Sequence, residues 1–263
     1  MHARQETEIR RYYETLYRAW GAQHWWPAES AFEVIVGAYL TQNTAWTNVE
    51  QALANLRSAR ILSVAGIRRT TRSKLERLLH PSGYFRQKAQ RLKTFVAFLD
   101  EHYRGSLTLL LSQPTETLRE QLLSLNGVGL ETADSILLYA GNHPVFVVDT
   151  YTRRILERHA ILPEGSGYEE IRQLFQTALG PVAQVQKEHP VELPSHIELE
   201  ARGAAHPPSA MSTGERTALV QVYNEMHGLI VGVGKLYCRK SKPNCEECPL
   251  RSFLPNLEHG RKP

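Results

Sequence analysis

The sequence predicts an all-α fold. Three observations carry that expectation. Apolar residues recur at helical spacing over most of the 263-residue chain. The breakers, such as PSG at 81–83 and GNHP at 141–144, fall between periodic runs and read as short connections. Only VFVV at 145–148 has strand-like composition, and a single strand has no partner, so it is expected as buried extended chain.

The elements follow in order. Residues 5–20 are amphipathic. HWWPAES (24–30) is a breaker followed by a helix start. AFEVIVGAYLTQNT (31–44) is apolar and then turns polar, and TNVEQALANLRS (47–58) has helical periodicity. SKLERLLH (73–80) ends at Pro81, before the PSG turn. FRQKAQRLKTFVAFLDEHY (85–103) is strongly amphipathic. TETLREQLLSL (115–125) is a helix with Thr115 as its expected N-cap. A glycine turn leads to a helix at 130–140, and another starts at Asp149. Residues 186–215 lack periodicity and are rich in Pro, His and Ser, the pattern of an irregular insertion. ALVQVYNEMHGLIVGVGKLY (218–237) leads into a cysteine segment.

Hydrophobic residues make up 42% and charged residues 22%, the balance of a globular protein with chain enough for a real core. No apolar run approaches the roughly 20 residues that span a bilayer, and MHARQETEIRRYYETL has no signal-peptide core. A cytoplasmic location without membrane association is expected. The net charge of +4 permits a polyanionic partner. Its basic residues are grouped: Arg68, Arg69, Arg72 and Lys74; Arg86, Lys88, Arg91 and Lys93; Arg153 and Arg154. Each group alone reads as a solvated helix face. The three cysteines, Cys238, Cys245 and Cys248, form a tight, odd-numbered set, which suggests a metal or cluster site over a disulfide framework.

LNGVGLETADSIL (125–137) places Gly-Val-Gly between two helical runs. Such glycines let backbone N–H groups face one concavity and let another backbone come close. At a helix start they also gain the positive helix end, which together makes a phosphate site. Gly-x-Gly alone fits a plain tight turn equally. Asp149, ahead of Thr-Tyr-Thr-Arg-Arg, reads by position as an N-cap.

LNGVGLETADSIL followed by VVDTYTRRIL resembles the helix-hairpin-helix DNA glycosylases of the endonuclease III superfamily, over about residues 24–180 and again from 218 to the end. The resemblance implies two helical lobes with a central cleft. One lobe is a six-helix central domain at 31–145 that contains the hairpin. The other joins 1–30 to 146–263, with the insertion 186–215 and a cysteine loop at 238–254. It further implies a monomer acting on double-stranded DNA that contains a damaged base. Gly127, Val128, Gly129 and Thr132 would grip phosphates while the target nucleotide is flipped out. Asp149 would stabilise the oxocarbenium-like sugar as the N-glycosidic bond breaks, beside its capping role. Bifunctional members carry a lysine two residues after the second hairpin glycine, whose amine forms a Schiff base. Here Glu131 holds that position, which implies base release without strong strand cleavage.

HWWP, LTQNTAW (40–46) and PSGYFRQKAQRL (81–92) resemble the bacterial 3-methyladenine branch of that superfamily. Carried over by position, Trp25 and Trp46 would sandwich the flipped base, with Trp26 and Pro27 in the pocket wall. Gln42, with Asn43 beside it, would contact DNA as the wedge that fills the vacated gap. Lys235 would reach the base or a phosphate, or simply be exposed. An alkylated purine, often cationic and already weakly bonded to its sugar, suits an aromatic pocket with one carboxylate. Another damaged base, such as an oxidised pyrimidine or a mismatch, is the alternative substrate, and a non-catalytic DNA-binding protein is a third reading.

The spacing Cys238-x6-Cys245-x2-Cys248 matches the iron–sulfur loop of that superfamily, but the fourth cysteine position is Leu254. Three readings stay open: a [4Fe–4S] cluster on three thiolates, with His259 conceivable as a further ligand; a degenerate site without cofactor, filled by Leu254; and zinc.

Overall fold

The computed structural model describes residues 2–188 and 205–255. Among these residues it is all-helical, with no strand. In chain order the helices are α1 (His2–Trp20), α2 (Ala31–Leu40), α3 (Trp46–Ser58), α4 (Val64–Arg69), α5 (Arg72–Leu79) and α6 (Phe85–Tyr103). They continue with α7 (Leu107–Leu111), α8 (Thr115–Ser124), α9 (Leu130–Ser135), α10 (Thr150–Arg158), α11 (Tyr168–Glu188) and α12 (Ala218–Leu236). The chain divides into two compact units, one of Ala28–His143 and one of Met1–Pro27 with Pro144–Pro263. No helix among the described residues is long and apolar enough to cross a membrane.

In Ala28–His143, AFEVIVGAYL is apolar on every side, so α2 has to be surrounded. Phe32 to Leu40 are all buried, and α3, α6 and the helix after the glycine turn pack on it. Ser30 caps α2 by accepting from the Glu33 backbone N–H at 3.2 Å. The buried Glu33 carboxylate pairs with Arg57. Lys88 is 1% exposed and donates to the carbonyls of Leu40 (3.0 Å) and Ser82 (2.6 Å). It ties the C-terminus of α2 to the turn before α6, and burial pushes its ammonium down to about 8.

Thr115 does not cap α8, as the sequence suggests. Pro114 holds that position, and the Thr115 hydroxyl pairs instead with His143 Nδ1 at 2.9 Å. Proline already fixes the extended backbone of a cap, which frees the threonine. The helix at 130–140 is present, but Ile136–Ala140 widens into a π-helical turn.

In the other unit α1 and α12 both pack on α11, and α10 packs on α12. VFVV is buried outside any helix or strand, and two of its backbone N–H groups are taken by side chains. The Phe146 N–H donates to Gln176 Oε1 (3.2 Å) and the Val148 N–H to the Tyr168 hydroxyl (3.3 Å). The Phe146 ring stacks on Phe175 with centroids 4.2 Å apart.

Residues 189–204 of the expected insertion, and His259, lie outside the described residues. Residues 186–188 finish α11, and 205–215 are non-helical and mostly exposed, with Ser212 buried and Ser209 and Ser212 bonding each other's backbone N–H.

Candidate active site

Asp149 stands at the N-cap of α10, where the buried extended run meets the helix. Its Oδ1 accepts from the Thr152 backbone N–H (2.8 Å) and from the Thr152 hydroxyl (2.9 Å). Its Oδ2 lies 3.6 Å from His227 Nε2, beyond hydrogen-bond length but within ion-pair range when the imidazole is protonated. Asp149 is 8% exposed and His227 4%. Burial alone pushes the Asp149 carboxyl up; His227 and the two Thr152 donors outweigh it and hold the group below the usual carboxylate range. The result is a buried, oriented carboxylate that stays ionised at neutral pH.

The Trp25 segment meets α12 at Gly228. A Cβ there would lie 2.9 Å from Gln23 Cβ and 3.1 Å from Trp25 Cβ, so only glycine permits this approach. The Gln23 N–H donates to Glu225 Oε2 at 2.6 Å, fixing the segment's register. The Trp25 indole then stands edge-on to His227 (centroids 6.0 Å) and to Trp26 (5.7 Å). Lys235 Nζ lies 5.7 Å from the Trp25 ring centroid, in cation–π range. The His206 ring is 5.3 Å from Trp25, and its backbone N–H donates to the Gln23 carbonyl at 3.1 Å. Asp149, Trp25, Trp26 and Lys235 thus share one neighbourhood, with His227 as the link. Pro27 ends the first segment of this unit, and Trp46 is the first residue of α3 in the other.

The glycine turn joins α8 to α9. Gly127 has φ +81°, the left-handed region, and Gly129 is the N-cap of α9 with an ordinary φ of −97°. Gln42 is half-buried and spends its amide on this turn. Its Nε2 donates to the Gly127 carbonyl and to the Thr132 hydroxyl, both at 2.9 Å, and its Oε1 accepts from Arg91. Val128 and Thr132 are buried, and Asn43 is exposed with a left-handed backbone. Arg119 and Asp134, both buried, form a bidentate pair at 2.6 and 3.1 Å that clamps α8 to α9. The structure therefore brings Gln42, Gly127 and Thr132 together.

Arg91 enters the sequence reading only as one of a basic group, and His227 and the Arg119–Asp134 pair are absent from it. The helical spacing of Arg119 and Asp134 toward the apolar side of their helices was the available signal for the last. His227 offered none, because one histidine in an apolar helix looks like core.

Cys238, Cys245 and Cys248 line one cavity with Arg158, His159, Tyr237, Arg251 and Leu254. Arg158 Nη1 donates to Cys238 Sγ at 3.3 Å and to the Arg239 carbonyl at 2.7 Å. Burial, together with the two neighbouring cysteines, pushes the Cys248 thiol up to about 11. An aliphatic side chain stands at the fourth position. Among the described residues no group of three or more His, Cys, Asp and Glu is placed to hold a metal ion. These residues do not fit the four-thiolate set of a [4Fe–4S] cluster.

Comparison with known proteins adds three likenesses and a family. The model of the HhH-GPD superfamily base excision DNA repair protein matches residues 36–181. "Putative DNA repair glycosylase MJ1434" of Methanocaldococcus jannaschii is 38% identical over 93% of this chain and 94% of its own length. The structure of H. pylori 3-methyladenine DNA glycosylase (MagIII) bound to 1,N6-ethenoadenine is 28% identical, with a TM-score of 0.68, over 88% of this chain and 97% of that one. A trapped endonuclease III–DNA covalent intermediate is 18% identical, with a TM-score of 0.66 over 95% of each chain, a likeness of fold.

Proposed function

The chain belongs to the HhH-GPD superfamily of base excision DNA repair proteins, and within it we propose a monofunctional DNA glycosylase that excises an alkylated purine of the 3-methyladenine type. That it is a DNA glycosylase of base excision repair follows from the family; lesion class and monofunctionality are the proposal.

The observation that carries the reading is the neighbourhood of Asp149 and Trp25. A glycosylase must break the C1′–N bond, leaving the electron pair on the base and positive charge on the sugar. Asp149 supplies a fixed carboxylate for that charge in a site shielded from water, where it counts for more than in bulk solvent. Water then adds at C1′ and loses a proton. In this reading Trp25, 5% exposed with Lys235 over its ring, is the side chain on which a flipped purine stacks. An alkylated purine leaves readily, so one carboxylate suffices where a poorer leaving group would need a general acid. The 28% likeness to an enzyme whose name includes 3-methyladenine supports the same lesion class. Glu131 in place of lysine supports release without strand cleavage, since a carboxylate cannot form a Schiff base.

Gly127, Val128, Gly129 and Thr132 are proposed to take a DNA phosphate, with Gln42 and Asn43 beside it. The cysteine loop takes no part in the chemistry. The test is a panel of duplexes bearing a methylated purine, an oxidised pyrimidine or a mismatch. The methylated purine should be released fastest, and Trp25→Ala should slow that release at least about tenfold, roughly 1.4 kcal/mol of transition-state binding, while duplex binding persists. Faster release of the pyrimidine, or unchanged kinetics in Trp25→Ala, contradicts the lesion class.

A further inference from the structure

We propose that His227 is a positioning residue for Asp149: across Oδ2, the oxygen that Thr152 leaves open, it fixes the orientation of the carboxylate. This deepens the proposed function and rests on Asp149 acting in base release.

A helix cap needs one carboxylate oxygen. Thr152 satisfies Oδ1 twice, through its N–H and its hydroxyl, so the cap is complete without His227. The second oxygen nevertheless faces a buried imidazole at 3.6 Å. Burying two ionisable groups together costs desolvation that a structural cap would avoid. The imidazole is also held in place. Gly228 brings its backbone against Gln23 and Trp25, and the rings of Trp25 (6.0 Å, 68°) and Phe146 (6.4 Å, 80°) stand edge-on to it. A buried carboxyl without such a neighbour drifts toward its neutral form, which stabilises no positive sugar.

Other ionisable groups surround the pair. Tyr151 and Arg154 come from α10, with Arg154 over the Tyr151 ring. Glu225 and Lys235 come from α12, the first bonded to Gln23 and the second over Trp25. His206 reaches Trp25 from the segment before α12. Tyr151 is raised by burial and by the Asp149 charge, so it stays neutral across the working range.

The experiment measures single-turnover base release and duplex binding for His227→Leu and His227→Gln from about pH 5 to 9. It also follows the Asp149 titration by 13C NMR of labelled carboxyl groups. His227→Leu should lose at least about tenfold in rate with binding within about twofold. Its acid limb should move to higher pH, because burial then acts on Asp149 with less opposition. His227→Gln, whose amide can donate to Oδ2, should recover much of the rate. Rates within about twofold of wild type at every pH overturn the proposal, as does an equal, pH-independent loss in both variants. If the wild-type protein releases no base, the proposed function fails separately. The titration then decides this inference: an Asp149 carboxyl that does not rise in His227→Leu overturns it.

Discussion

At Asp149 the two carboxylate oxygens have different duties. Oδ1 belongs to the helix and Oδ2 faces His227. Glu225, two residues before His227 in the chain, is in the opposite state. It is 2% exposed, and burial pushes its carboxyl up to about 7 despite donors from Gln23 and Gln221. The folded state therefore keeps a proton that the unfolded state, at the ordinary glutamate value of 4.5, has released. Stability from this group is full below pH 4.5 and is lost as pH rises toward about 7. Glu225→Gln retains a carbonyl acceptor and removes the titration. Denaturant unfolding should find the variant equal to wild type near pH 4.5 and more stable above pH 7, by on the order of 1–3 kcal/mol. His159, pushed down to about 4 by burial, acts in the opposite sense but cancels between the two proteins. A difference independent of pH would contradict the assignment. Asp149 itself was legible, because a cap residue at the end of an apolar run is a local signal. Its partner on α12 is 78 residues away in sequence (227 − 149), and no spacing rule links them.

Among the elements, the glycine turn separates conformational need from functional need. At Gly127 a Cβ would lie 2.0 Å from Arg91 Nε, and φ is +81°. Gly127→Ala should cost about 1–2 kcal/mol of stability and also weaken duplex binding, since Arg91 and Gln42 must move. Gly129 has an ordinary φ and nothing within 4 Å of a built Cβ. Gly129→Ala should fold with a loss under about 1 kcal/mol yet bind duplex DNA at least about tenfold more weakly, because the methyl group keeps a phosphate off the N–H groups. Thermal melts with binding isotherms check both, and unchanged binding in Gly129→Ala would remove the phosphate from this turn. The hairpin and the long amphipathic helices were readable from periodicity. Helices α4, α7 and α11 were passed over. The first two are only six and five residues long, too short to show a period, and α11 runs through Pro181, which reads as a breaker. VFVV read correctly as buried chain outside a sheet because its partners are side chains, Gln176 and Tyr168.

For the molecule as a whole, the basic groups divide. Arg68, Arg69, Arg72 and Lys74 are exposed, as a solvated face should be, with Arg68 paired to Asp100 at the surface, whereas Lys88 and Lys93 hold backbone carbonyls and Arg153 and Arg154 bond the carbonyls of Ser166 and Cys238. Composition could not reveal this, because a net charge of +4 does not say which cations are already committed. The family and the all-helical class were legible in motif order; the placement of Leu254 beside three cysteines leaves that loop one donor short. The central claim concerns the reaction: base release at Asp149 without a lysine nucleophile. The direct measurement incubates the protein with methylated duplex DNA. Free bases and strand nicks formed before alkali are quantified in the same reaction, with Asp149→Asn as control. The account predicts released methylated adenine, nicks at the level of untreated DNA, and no release by the variant although it still binds. Nicks equal to the bases released, undiminished release by Asp149→Asn, or binding without any release by the wild-type protein would contradict it.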